Sequence, residues 1–227
     1  SRSSPRVEPS DVARALSLMP AVVQDPGAAA VVDYMALDPG HPAVDLCAAP
    51  GGKATALAAR GHVVWALDVS RARLARLLEN RARLDLRGLH VLLADSTRPP
   101  VRPLAAVLLD APCTGTGTLA RHPDGRWRLS PADLETLVEL QRHLLDAAAA
   151  IVQPGGQLVY ATCSLEPEEN EEQVEAFLLR HEGFELEPPP GDSVPDELLG
   201  SAGELRVLPQ HHEMDGAYAA RLRRHAK

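Results

Sequence analysis

Short apolar runs alternate with amphipathic stretches along most of this chain, and that alternation limits its fold more than any other feature. The runs lie at 42–47, 62–67, 89–93, 104–109 and 157–162, with helical patterns between them at 53–60, 70–86 and 131–152. Strands separated by single helices build βαβ units with right-handed crossovers and a parallel sheet. The run at 105–109 (AAVLL) is apolar on both parities, which fits a strand covered on both faces. The spacing therefore predicts an α/β, Rossmann-like fold with helices on both sides of the sheet.

Local signals fill in the ends. Leu74, Leu77, Leu78 and Leu84 recur at helical spacing among arginines, an amphipathic pattern. Ser130-Pro131 is a hydroxyl cap followed by a first-turn proline, and Gln153-Pro154-Gly155-Gly156 reads as the end of that helix and a turn. A further helix opens near Pro167 and runs to about Arg180, its acidic start complementing the helix dipole. Residues 185–206 read as loop with at most one short strand, and 206–223 as a terminal strand pair. Helices are expected at about 10–19 and 26–36, so that 1–40 forms a helical lead-in, a remnant of a longer N-terminal region, to one catalytic domain at 41–227.

Hydrophobic content of 45% and charged content of 24% are ordinary for a globular domain. No apolar run approaches the roughly 18 residues that span a bilayer, and the first ten residues lack the apolar core of a secretory signal. The expectation is a cytoplasmic monomer without membrane contact. Three cysteines, none in CxxC spacing, argue against a disulfide framework and a zinc knuckle. His211-His212-Glu213 reads as a solvated loop, so no metal is expected. A net charge of −8 means that any surface for nucleic-acid phosphates is local or lies elsewhere in the protein.

The first apolar run leads into Cys47-Ala48-Ala49-Pro50-Gly51-Gly52-Lys53 and then a helix, the position of the first ligand loop in a doubly wound sheet. Small residues let the backbone approach a ligand, and a helix start directs N–H groups at anionic atoms. The loop matches neither GxGxxG nor the phosphate-binding GxxxxGK[ST] pattern. Asp68 closes the second strand, Asp95 follows the third and Asp110 ends the fourth. Carboxylates on successive strand ends beside a glycine loop favour an adenosine-containing ligand. S-adenosyl-L-methionine suits better than a dinucleotide, since no pyrophosphate cradle is evident and its sulfonium tolerates carboxylates. Arg73, close to Asp68, is placed to reach the adenosine end.

Two thiols sit at equivalent strand ends, Cys113 in DAPC (110–113) and Cys163 in YATC (160–163). Carbon 5 of cytosine is a poor nucleophile until a thiolate adds at carbon 6 and turns the ring into an enamine. Such a thiol needs an electropositive neighbour, for which Lys53 and the helix start after Cys163 are candidates. It also needs an acid near ring nitrogen 3, a role open to Asp110. Cys47, inside the glycine loop, reads as a small buried residue. Residue chemistry alone does not rank Cys113 and Cys163.

DLCAAPGGK (45–53), LLDAPCTGTGTLARHPDGRWR (108–128), YATCSLEPEENEEQV (160–174) and LPQHHEMDGAYAARLRR (208–224) resemble, in order and spacing, the motifs of the RNA cytosine-5 methyltransferases of the RsmB/Nop type. The resemblance covers about residues 20 to 224. It implies a seven-stranded methyltransferase sheet with the last strand antiparallel, and S-adenosyl-L-methionine held by residues 47–53, Asp68, Asp95 and Asp110. It further implies RNA, ribosomal RNA first, as substrate, with Cys163 attacking carbon 6 and Cys113 aiding release. The chain departs from the family at Thr114 (usually serine), at Gly125 (usually larger and apolar) and at Ala217 (usually aromatic). Arg121, Arg126, Arg128 and Trp127, just past Cys113, are candidates for RNA contact. The arginines at 71, 76, 81, 83 and 87 read as a solvated helix face.

Overall fold

The structure is a computed structural model that describes residue 14, residues 20–127 and residues 129–226. The helix expected at about 10–19 lies outside the described residues apart from Arg14. Helix α1 (Pro26–Tyr34) opens on Asp25, whose side chain accepts the Gly27 N–H, and on a first-turn proline. Five strands and three helices follow: β1 (Ala43–Leu46), α2 (Gly52–Ala59), β2 (Val64–Asp68), α3 (Arg71–Arg83), β3 (Leu89–Leu93), β4 (Leu104–Asp110), α4 (Pro131–Ala150) and β5 (Val152–Thr162). The chain closes with α5 (Glu171–Arg180), β6 (Phe184–Leu186), β7 (Leu205–Val207), the short α6 (Pro209–His212) and β8 (Ala217–Arg224).

The sheet runs β3-β2-β1-β4-β5-β8-β6, with β7 also on β8. Strands β1 to β5 are parallel to one another, and β8 is antiparallel to β5, β6 and β7. The α/β reading with an antiparallel last strand holds. The described residues form eight strands rather than seven, because 205–207 and 184–186 both find partners on one edge of β8.

Alternation along the strands divides the core. Leu108 and Val159 face the layer of Val31, Tyr34, Leu57, Leu74 and Leu77 from α1, α2 and α3. Val107, Leu109, Leu158 and Tyr160 face Leu144, Leu145, Ala148 and Phe177 from α4 and α5. The chain reverses its direction of travel across the sheet between β1 and β4, so their C-terminal ends flank the crevice where doubly wound sheets bind ligands.

Three local expectations change. Pro154-Gly155-Gly156 is not a turn before a strand; β5 already starts at Val152, and the ladder with β4 is irregular between Leu104 and Ala106. Gly155, at φ 72°, supplies the left-handed step that lets β5 pass through this irregularity. The helix expected from Pro167 is a single 3₁₀ turn, Pro167–Glu169, broken from α5 at Asn170 (φ −115°, ψ −104°). Helix α3 buries Leu74 and Leu77 but leaves Leu78 exposed, and it ends at Arg83.

Candidate active site

The loop after β1 turns sharply because Cys47 takes φ 63° and Gly51 φ 108°. A side chain at Gly51 would strike Leu77 of α3 at 2.2 Å, so this glycine serves helix packing as well as the left-handed turn. The Ala48 N–H donates to the Leu67 carbonyl at 2.8 Å, and the Ala49 N–H to Asp68 Oδ2 at 3.1 Å. Asp68 thus ties the loop to the end of β2; its Oδ1 accepts from the Ser70 N–H at 2.7 Å and from Arg73 at 3.0 Å. Asp95 is exposed beyond β3, and hydrogen bonds from the Thr97 hydroxyl and N–H hold its carboxyl below the usual range. Burial pushes the Cys47 thiol up to about 12, the behaviour of a structural cysteine.

Sequence reasoning passed over Asp45, in the middle of β1. Its side chain is 0% exposed, and neither carboxylate oxygen has a hydrogen-bond partner. Burial first, and then the charge of Asp110, push its pKa well above the ordinary value. An acid inside an otherwise apolar strand was the available signal. Lys53, from the first turn of α2, reaches under the crevice to Asp110 at the end of β4, Nζ to Oδ1 2.8 Å. Burial pulls the Lys53 ammonium down, but Asp110 outweighs it by charge and hydrogen bond, so the net shift is upward.

Because β4 and β5 are neighbours in register, Asp110 opposite Ala161, their two tails emerge side by side. Cys113 and Cys163 are free thiols with their sulfurs 3.4 Å apart, and the Cys163 N–H donates to Cys113 Sγ at 3.3 Å. The pair is unequal. The hydrogen bond from Cys113 lowers the Cys163 pKa against the effects of burial and Asp110, with Lys53 adding to the lowering. The same bond, then burial, pushes Cys113 well up. The opposite shifts make Cys163 the more acidic thiol of the pair. Of the two electropositive candidates, Lys53 is the one that acts on Cys163.

Backbone contacts hold the two tails together. The Gly117 N–H donates to the Cys163 carbonyl at 3.0 Å, and the Gly216 N–H to the Gly117 carbonyl at 2.8 Å. A side chain on Gly117 would meet Gly216 Cα at 2.7 Å, so both positions need glycine for close approach.

The loop past Cys113 divides the arginine candidates. Arg121 is ion-paired with Asp215, Nε to Oδ1 2.9 Å, and lies 3.9 Å from Asp25. Arg126 is exposed, and so is Trp127, at 85%. Arg128 lies outside the described residues. His212 Nδ1 accepts the Leu208 N–H at 2.9 Å, and no group of three His, Cys, Asp or Glu among the described residues is placed to hold a metal. No described helix is long and apolar enough to cross a membrane.

A family profile described as "16S rRNA methyltransferase RsmB/F" matches residues 33–223. The chain belongs to the RsmB/F methyltransferase family. Among RsmB/F relatives, it is 41% identical over 211 residues to the Synechocystis protein named "Probable ribosomal RNA small subunit methyltransferase B", covering 89% of this chain and 47% of that protein. The chain thus spans about half the length of the curated relatives it matches. The crystal structure of PH0851 superposes with a TM-score of 0.82 at 36% identity, covering 88% of this chain and 46% of that one. NSun6 from Pyrococcus horikoshii with SFG gives 0.78 at 29% identity, covering 90% and 53%. The RsmB/F chain therefore carries the class I methyltransferase fold.

Proposed function

We propose that this chain is the catalytic part of an S-adenosyl-L-methionine-dependent RNA cytosine-5 methyltransferase that acts on ribosomal RNA. What carries the reading is the convergence of Lys53, Asp110, Cys113 and Cys163 on one edge of the sheet, beside the orphaned carboxyl of Asp45. A buried carboxyl without partners is unfavourable alone and fits a cationic ligand. S-adenosyl-L-methionine, with its ammonium and sulfonium, meets that requirement; the 47–53 loop, Asp68, Arg73, Asp95 and Asp110 would hold it, with the buried Asp45 acting from beneath through its charge. When bound, it supplies an electrophilic methyl group.

The chain's own groups supply the rest. The Cys163 thiolate adds to carbon 6 of the flipped cytosine, which makes carbon 5 nucleophilic. The acid beside ring nitrogen 3 is the Lys53–Asp110 pair, with Lys53 carrying the proton, rather than Asp110 alone. Once Cys163 sulfur is bonded to carbon, it no longer holds the Cys113 proton in a thiol–thiolate bond. After the methyl group has moved to carbon 5, Cys113 passes its own proton to water and takes the proton from carbon 5; the electrons of that C–H bond re-form the C5–C6 double bond and expel the Cys163 thiolate.

The two thiols separate in a direct test with small-subunit ribosomal RNA. Cys113→Ala should accumulate a covalent protein–RNA adduct on denaturing gels, whereas Cys163→Ala should form none and transfer no methyl group. Methylation by Cys163→Ala would overturn the assignment.

A further inference from the structure

The thiol pair depends on the position of Cys113, yet Cys113 sits on an irregular loop with no ladder to fix it. One side chain grips that loop from below. Glu169, 0% exposed, ends the 3₁₀ turn that follows Cys163. Its carboxylate accepts the Thr114 N–H at 2.9 and 3.2 Å and the Thr114 hydroxyl at 2.5 Å. It also accepts from Gln141 Nε2 of α4 at 2.8 Å, and the same nitrogen donates to the Pro112 carbonyl at 2.8 Å. Pro112 and Thr114, the residues on either side of Cys113, are thus both clamped through Glu169 and Gln141. The Tyr160 hydroxyl donates to the Glu169 carbonyl at 2.6 Å, which anchors the clamp to β5. The break before α5 is what turns this glutamate inward, and the threonine at 114 keeps the hydroxyl that the clamp uses.

We infer that Glu169 is a positioning residue for the reaction: it clamps the Pro112–Thr114 loop so that the Cys113 sulfur is held in hydrogen-bond contact with Cys163. The inference rests on the cytosine methyltransferase reading for its purpose, but not for its geometry. A glutamine at 169 cannot accept from all these groups: an N–H₂ at the Oε1 position would face two donors, the Thr114 N–H and Gln141 Nε2, and at the Oε2 position the Thr114 hydroxyl would have to reverse and accept while the Thr114 N–H lost one acceptor. Glu169 also places a negative charge near Cys113, which adds to the rise in its pKa after the larger effects of the Cys163 contact and burial. The other ionisable groups facing the pair are Lys53 from α2, Asp110 from β4, Arg121 from the following loop and Tyr160 from β5.

The test reads Cys163 itself, without RNA. Iodoacetamide modification of Cys163, followed by mass spectrometry across pH, gives the thiolate fraction in wild type, Glu169→Gln, Cys113→Ala and the double variant. Glu169→Gln should move the Cys163 midpoint up by about one pH unit, or slow modification about tenfold at neutral pH. Cys113→Ala should do the same, and adding Glu169→Gln to it should change nothing further. An unchanged midpoint in Glu169→Gln, or an equal further shift in the Cys113→Ala background, overturns the proposal. Should Glu169→Gln fail to fold, Thr114→Val removes only the hydroxyl donor and should shift the midpoint in the same direction; no shift there also overturns it. If the shift appears but no variant or wild type ever methylates RNA, Glu169 positions the thiols and the proposed function fails instead.

Discussion

Asp45 shows what one residue costs and supplies. Its folded-state pKa lies well above the ordinary carboxylate value. A group shifted upward stabilises the fold fully below its unfolded pKa, and that contribution is lost as pH rises toward its folded pKa. The protein without ligand should therefore lose stability as pH rises above about 4, the ordinary carboxylate value, because of this residue. Asp45→Asn should flatten that loss, raising the melting temperature at neutral pH, while weakening S-adenosylhomocysteine binding about tenfold or more in calorimetry. A variant that gained stability and kept full affinity would remove Asp45 from the ligand site. Lys53→Met tests the other side of the crevice. Without the ammonium, the Cys163 midpoint should rise, so that modification slows at neutral pH and recovers in alkaline buffer. Some of this was legible in the chain: both thiols and Lys53 belong to motifs at strand ends. The inequality of the thiols was not, because it depends on a 3.4 Å contact between residues far apart in sequence.

At the level of elements, periodicity was legible wherever a strand is covered on both faces, as in β1 and β4. It failed where side chains turn against their segment's pattern. Glu169 and Asn170 sit in an acidic run that reads as a helix start. The chain instead breaks there, because Glu169 binds the Thr114 loop while Asn170 accepts from the Thr162 hydroxyl at 2.6 Å and donates to the Ser164 carbonyl at 3.0 Å. Helix α5 is held by Phe177, fully buried against Phe184 and His181. Phe177→Ala should cost about 3–5 kcal/mol in urea unfolding. Because α5 follows directly on the 3₁₀ turn that carries Glu169, loosening it should also slow Cys163 modification. A stability loss without any change at Cys163 would show that the clamp stands independently of the helix.

For the whole molecule, charge and size set the terms. A net charge of −8 opposes RNA phosphates, and the exposed cations beside the thiols are few. We propose that residues 41–227 act as one catalytic domain and rely on further chain for RNA affinity, in keeping with a match to about half of each curated relative. This chain alone should bind S-adenosylhomocysteine normally but small-subunit ribosomal RNA weakly. Its binding should show a shallow dependence on salt, corresponding to only a few phosphate contacts. Tight binding with a steep salt slope in filter assays would contradict that division.

The position of β8 has a consequence for how the protein is made. Among the described strands it is the last in chain order, yet it lies inside the sheet, between β5 and the pair β6 and β7. Until residues 217–224 emerge from the ribosome, β5 presents an open apolar edge, and neither β6 nor β7 has its partner. Gly216, which braces the Cys163 loop through Gly117, is delivered in the same step. Until that segment is in place the open edge invites aggregation, and completion of the sheet and bracing of the Cys163 loop depend on the same residues.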